Sequence, residues 1–193
     1  MAYKFNKVKS DAFKTMQFNA GILLSDFDPT GATEVDDADI ISATTGGINA
    51  TCVPTFVDLG EDVDNAPLNT KELKDIESYV CQMTATLFGV TAETIKLSIG
   101  AADIEVATGK VTPRSELEGT DFNDIWWVGD LKGGGMVAIQ LVDALSDSGF
   151  AIQTTKNGKG QLSLTMTGHS SIATPTVIPM NFWVADAEAE SAQ

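Results

Sequence analysis

The stretch Ser78-Tyr79-Val80-Cys81-Gln82-Met83-Thr84-Ala85-Thr86-Leu87 puts Tyr79, Cys81, Met83, Ala85 and Leu87 at every second position. Successive side chains of an extended strand leave on opposite faces, so a period of two means one oily face and one polar face. The polar face, with Gln82, Thr84 and Thr86, carries no charge. The same pattern returns at residues 161–167, where Leu162, Leu164 and Met166 alternate with Gln161, Ser163, Thr165 and Thr167. Elsewhere, residues 21–24, 47–57, 124–128, 136–145, 150–155 and 176–184 gather β-branched and aromatic side chains between Gly, Pro, Asn and Asp breakers, which predicts further strands. The fold class is mainly β. Gly133-Gly134-Gly135 and Asn157-Gly158-Lys159-Gly160 mark two hairpin tips, the second with an Asn-Gly pair suited to a tight primed turn.

One segment breaks the period. Thr91 offers an N-cap, Glu93 lies in the first turn where the helix dipole favours it, and Gly100 is a stop, so one short flanking α-helix is expected over about 91–100. Its apolar edge, Ile95 and Ile99, should dock on the outside of a sheet. Residues 25–46 and 58–74 are too long and too polar for hairpin turns, and loops of that length are usually interactive. They are expected to be ordered by something outside the monomer. The chain divides into a basic N-terminal arm (1–17), a single domain (18–184) and a flexible acidic C-terminal tail (185–193).

Charge narrows the partners. Twelve basic residues against 27 acidic ones give −15 overall, and residues 26–64 hold ten acidic side chains without one Lys or Arg. That sign opposes phosphate binding, which needs Lys and Arg to release counterions. It suits a surface that DNA must pass without sticking. Lys4, Lys7, Lys9 and Lys14, against Asp11 alone, give the first fourteen residues the opposite sign, and another copy of the acidic body is their natural partner. The 43% hydrophobic content is enough for one good core. No apolar run reaches the ~18 residues of a membrane span and the N-terminus has no signal-peptide pattern, so the chain is expected in the cytosol. Cys52 and Cys81 lie in strand-like runs without CxxC spacing, and read as two reduced core thiols.

Catalytic constellations are missing from the pattern. His169 is the one histidine, at a strand end, so no Ser-His-Asp set or di-His zinc site can be assembled, and it reads as a structural residue. No GxSxG, HExxH, Walker or GxGxxG motif occurs, and no cofactor is implied. The loop from Asp26 to Asp37 has acids at positions one, three and twelve and Gly at six, as a calcium loop does, which makes Asp26, Asp28, Glu34 and Asp37 a weak calcium set. Thr at position five, Pro at four, Asp at twelve and the absence of flanking helices argue for a solvated acidic loop instead. Trp126 and Trp127 must point to opposite faces of their strand, one into the core and the other to a second layer, to the small helix or to a neighbouring subunit.

The runs Phe18-Asn19-Ala20-Gly21-Ile22-Leu23-Leu24, Ile41-Ser42-Ala43-Thr44-Thr45-Gly46-Gly47-Ile48 and Leu59-Gly60-Glu61-Asp62-Val63-Asp64-Asn65-Ala66-Pro67 resemble the major tail tube proteins of long-tailed, siphovirus-type bacteriophages and prophages of Gram-positive bacteria. Thr70-Lys71-Glu72-Leu73, Ile99-Gly100-Ala101-Ala102-Asp103, Pro113-Arg114, Asp121-Phe122-Asn123-Asp124-Ile125-Trp126, Gly129-Asp130 and the stretch from Lys159 to His169 look like that family too. The similarity runs from about Phe18 to Val184.

What the resemblance implies is a β-sandwich or split barrel of the tail-tube type, not an enzyme. Such subunits form hexameric rings that stack into a tube and conduct genomic DNA during ejection, with tape-measure, distal-tail and tail-terminator proteins as partners and the virion tail as location. On that reading the polar faces of 47–57, 78–87, 136–144 and 160–168 are lumen candidates, with Gln82, Thr84, Thr86, Gln161, Ser163 and Thr165 foremost. Lys4, Lys7, Lys9, Lys14, Asp36, Asp37, Asp39, Glu61, Asp62 and Asp64 would meet adjacent subunits. The alternatives are the tube subunit of a contractile tail or phage-derived bacteriocin, a calcium-dependent β-sandwich binding module, and a hydrolase working through Asp62 and Asp64.

Overall fold

The computed structural model describes residues 8–9, 12–17, 19–31, 34–154 and 156–186. Eleven strands and one α-helix are built from them: β1 (Ile22–Leu24), β2 (Ile40–Ser42), β3 (Thr44–Asp58), β4 (Lys74–Leu87), α1 (Ala92–Ile99), β5 (Ala102–Glu105), β6 (Lys110–Pro113), β7 (Asn123–Asp130), β8 (Gly135–Ser146), β9 (Ala151–Gln153), β10 (Gln161–Thr167) and β11 (Met180–Asp186). Nine strands make one antiparallel sheet in the order β2-β1-β7-β8-β10-β4-β3, with β11 added on β8 and β9 on β10; β5 and β6 form a separate small hairpin.

β8 is the strand on which this sheet turns. Along one edge it pairs with β7; along the other it pairs first with β11, from Gly135 to Leu141, and then with β10 at Leu145 and Ser146. The change of partner coincides with Asp143, whose φ of 45° breaks the strand. Asp124 holds the break: its carboxylate accepts from the Asp143 N–H at 3.0 Å and from Gln140 Nε2 at 2.9 Å. The two halves of the sheet then face one another across a core of Leu23, Met83, Leu87, Ile125, Trp127, Leu141, Leu162, Leu164 and Met166. The alternation in residues 81–87 and 161–167 is the inner face of that core, as the sequence predicts.

Several expectations change. β3 and β4 run longer than predicted and pair from Ile48↔Ala85 out to Asp58↔Lys74, so 58–74 is the end of a long hairpin closed by residues 59–73. Asp58 organises that end by accepting from the N–H groups of Gly60 and Asn69, both at 3.0 Å. Residues 25–31 and 34–46 are held by the chain itself: they contain a 3-10 turn, β2 and the start of β3, Phe27 packs edge-on to Trp126, and Val35 joins the same cluster. Residues 176–179 precede β11 rather than belonging to it, and β11 takes in Ala185 and Asp186 from the predicted tail. Between β9 and β10 the described residues 154 and 156–160, with Asn157 at φ 64°, stand in place of the expected tight turn.

The helix lies where it was predicted, between Thr91 as N-cap and Gly100 as C-cap. Its docked face is not Ile95 and Ile99 but Thr94 and Ser98, both buried, with Leu97 packed against the main core. Small hydroxyl side chains let the helix approach closely, and they find partners in the helix and the turn that leads into it: Thr94 donates to the Thr91 and Gly89 carbonyls and Ser98 to the Ile95 carbonyl. A buried hydroxyl with a partner costs little, which is why two polar residues can face a sheet.

Candidate interaction surface

On the side of β3, β4 and β10 away from the core, directly opposed residues form rungs. Asn49, Thr84 and Thr165 make one, Thr51, Gln82 and Thr167 the next, and Thr86 and Ser163 continue the row. Opposed residues of antiparallel strands share a face, so five of the six predicted lumen residues lie together here. The sixth, Gln161, stands opposite Gln153 of β9 at the same end of β10. Gln82 Nε2 donates to Thr167 Oγ1 at 3.0 Å, Thr84 Oγ1 lies 3.5 Å from Thr165 Oγ1, and Thr167 donates to Asp147 at the margin. No Asp, Glu, Lys or Arg occupies these rungs. The surface is therefore neutral and hydroxyl-rich rather than anionic; the acidic residues sit elsewhere.

The next rung outward is apolar. Val53 and Val80 are opposite each other and 55% and 47% exposed. Beyond a bulge between Thr55 and Phe56, the protruding end of the hairpin exposes Phe56, Val57, Leu59, Val63, Leu68 and Ile76. Apolar exposure concentrated on one projecting element marks a contact site more than scattered exposure does. β3 itself is the last strand of its sheet, so its fifteen residues offer an open edge among the described residues.

Other predicted residues are placed as follows. Glu61, Asp62 and Asp64 are exposed at the hairpin end, and Asp36, Asp37 and Asp39 border or form the 3-10 turn before β2, with Asp36 capping it through the Ala38 N–H. Lys9 and Lys14 are exposed, while Lys4 and Lys7 lie outside the described residues. Part of the segment read as an arm lies along the body: Gly133 and Lys132 N–H groups donate to the Lys14 and Met16 carbonyls, and Gln17 bridges to Leu131. Residues 136–144 pair with β7 on one edge and β11 on the other, and the Gln140 side chain there is half-buried, donating to Asp124 and accepting from Asn181.

The acidic loop has another use for its side chains. Asp28 accepts from the Thr30 hydroxyl at 2.6 Å and from the Thr30 N–H at 2.9 Å, and these bonds, the hydroxyl first, hold its carboxyl below the usual range. Among the described residues no three His, Cys, Asp or Glu side chains converge as a metal would need. His169 is half-buried, with Nδ1 3.1 Å from the Asp143 carbonyl and its ring edge-on to Phe122 at 5.3 Å. An open groove beside β3, of about 570 Å³, is lined by Gln17, Asn19, Gly46, Gly47, Asn49 and Trp127 among others and by no titratable side chain. Asp62 and Asp64 stand well outside it.

Trp126 and Trp127 are both buried by this chain. Trp127 enters the main core and donates to the Ala20 carbonyl at 2.9 Å. Trp126 faces the other way into a second cluster with Leu24, Phe27, Ala138 and Trp183, its ring 5.0 Å from that of Trp183. The second-layer reading holds, and neither the helix nor a neighbouring subunit is needed to cover it. Sequence reasoning missed Arg114, which draws Asp103, Glu118 and Asp121 together, and Asp124, which sets the break in β8. Single charged residues give no periodic signal, so only topology reveals them.

No protein-family model matches the chain, and no curated protein matches it in sequence. Among solved structures, a chain of "Virion of native gene transfer agent (GTA) particle" is similar over 85% of this chain and 95% of that one, with a TM-score of 0.43 and 9% identity. A likeness at this level carries no function across. Among the described residues no helix is long and apolar enough to cross a membrane.

Proposed function

We propose that the chain is a structural subunit of a phage-like virion that self-assembles into rings and a tail tube, through which genomic DNA passes during ejection. One observation supports this reading: an open fifteen-residue edge on β3 borders a face of Asn, Thr, Gln and Ser rungs that carries no charge. An exposed edge of that length invites pairing with another chain unless something blocks it. Pairing it with a neighbouring copy would extend the polar rungs around a ring and give a wall with no cations to hold phosphate. The acidic balance of the subunit adds general repulsion toward DNA. The hexameric count, the tape-measure, distal-tail and terminator partners, and a non-enzymatic role come with the sequence resemblance to tail tube proteins.

The test is negative-stain electron microscopy of the concentrated chain beside Val53→Lys. Wild type is expected to give rings or tubes with a central channel. Lys at this exposed edge position should leave the melting temperature within a degree or two, because Val53 is more than half exposed, while a charge that pairing with a neighbour would bury at the edge abolishes assembly. Tubes of normal appearance from Val53→Lys would remove the β3 edge from the assembly.

A further inference from the structure

The two cysteines of the chain stand directly opposite each other on β3 and β4, with their sulfurs 3.3 Å apart. Both are free thiols; Cys81 is fully buried and Cys52 half-buried. Directly opposed residues of antiparallel strands have Cα atoms about 4.5–5.5 Å apart, inside the roughly 4.4–6.8 Å span of disulfides. Closing the sulfurs by about 1.3 Å to a covalent bond of ~2.05 Å needs side-chain rotation and little backbone movement. The position in the fold matters as much as the geometry. Cys52 and Cys81 lie near the base of the hairpin: on their face the next pair outward is the half-buried Pro54 and Tyr79, with Tyr79 still packed on the core, and beyond it the hairpin end is exposed.

We propose that Cys52 and Cys81 are a latent disulfide site whose substrate is a small-molecule disulfide, and that the bond, once formed, staples the base of the projecting β3-β4 hairpin. Cys52, the half-buried sulfur, attacks first as a thiolate: it bonds to one sulfur of the small disulfide, breaks that S–S bond and expels one thiol, which takes the proton Cys52 gave up. Cys81 then attacks the Cys52 sulfur of the mixed disulfide and expels the second thiol, which takes the Cys81 proton. Two protein thiols are oxidised to one disulfide, and one small-molecule disulfide is reduced to two thiols. Burial, and then the contact with Cys52, push the Cys81 thiol up to about 12, which makes it a poor first nucleophile and sets this order. In a reducing cytosol the pair stays open while the hairpin remains adjustable; outside the cell, where disulfides persist, it closes. That last step, from cytosol to extracellular particle, rests on the virion reading; the bond chemistry does not.

The full-length chain, purified with reductant and exchanged into buffer, is incubated folded with oxidised glutathione. Free thiols, intact mass, peptide mapping and melting temperature are then read. The expected result is loss of both thiols together, a mass lower by two hydrogens, a Cys52–Cys81 cross-linked peptide and a melting temperature raised by roughly 5–10 °C, from the closed loop. Cys81→Ser should stop at a glutathione adduct on Cys52, while Cys52→Ser should leave Cys81 unmodified in the folded protein. Two titratable thiols persisting in the folded wild type, under conditions where the urea-unfolded chain oxidises, would overturn the proposal, as would disulfide-linked dimers in place of the internal bond. Electron microscopy of the same samples separates the two readings: an internal disulfide without rings or tubes would count against the tube and leave the staple standing.

Discussion

Gly21 adopts a φ of +72°, and a Cβ built on it would lie 2.2 Å from Trp127 Nε1 and 2.6 Å from the Val128 carbonyl oxygen. Backbone conformation and space therefore both demand glycine, and the residue is what lets Trp127 reach the Ala20 carbonyl. Gly21→Ala combines a left-handed backbone penalty with overpacking and should cost about 3 kcal/mol, measured by urea unfolding; a loss under ~1 kcal/mol would mean the Trp127 ring has room to move. Arg114 is the second such residue. Its guanidinium lies 2.6 Å from Asp121, 2.9 Å from Glu118 and 3.0 Å from Asp103, with Nε too poorly aligned on Asp103 to hydrogen-bond, so that contact is Coulombic. The Asp121 side chain is fully buried. Arg114→Ala leaves it unpaired and should destabilise by about 3 kcal/mol, whereas Asp103→Ala, which removes an exposed partner, should cost under ~1 kcal/mol. Equal losses from the two variants would show that burial of Asp121 is not what makes the cluster matter.

At the scale of elements, the period-two strands and the capped helix were legible because their signals are local and repeated. Thr91 and Thr94 cap reciprocally, the Thr94 N–H to Thr91 Oγ1 at 3.2 Å and the Thr91 N–H to Thr94 Oγ1 at 2.8 Å. Thr91→Ala should cost about 1 kcal/mol. Glu93 adds a pH dependence to the same turn: its own backbone N–H and then Thr91 hold its carboxyl below the usual range. A carboxyl lowered on folding contributes stability above its unfolded value and loses it as pH falls through the folded one. Glu93→Gln should therefore lower the melting temperature at pH 7, and the gap to wild type should close as the pH falls below the ordinary carboxylate value and through the lowered one; a constant gap across that range would assign the effect to side-chain shape. What the sequence hid was non-local. Ile95 and Ile99 read as the docking edge because apolar residues usually face a sheet, but Thr94 and Ser98 won by satisfying their hydroxyls on nearby backbone carbonyls, Gly89 before the helix and Ile95 within it. The β5-β6 hairpin and β2 were too short for a periodic signal. The loop 25–46 read as needing a partner, since Phe27 and Val35 are isolated among acids and the cluster around Trp126 that receives them exists only once β1, β7 and β8 are paired.

At the scale of the whole molecule, the polar face and the open β3 edge were half legible. Alternation identified the residues of the rungs and showed that they carry no charge, but only the register joined Asn49, Thr84 and Thr165 into one row set apart from the acidic loops. That separation sets how copies of a chain of −15 can approach one another. If edge pairing and the exposed apolar hairpin drive association, net repulsion opposes it, and salt should help by shortening the Debye length from about 30 Å at 0.01 M to about 8 Å at 0.15 M. If instead Lys4, Lys7, Lys9 and Lys14 hold the acidic loops of a neighbour, salt should weaken association. The geometry favours the first, because Val53, Phe56 and Leu59 give the hairpin an apolar contact that is indifferent to ionic strength, whereas ion pairs at exposed sites contribute little. Sedimentation velocity across those two salt concentrations should show the assembled fraction rising with salt at fixed protein concentration. A fall in that fraction would transfer the interface to the lysine arm and its acidic partners.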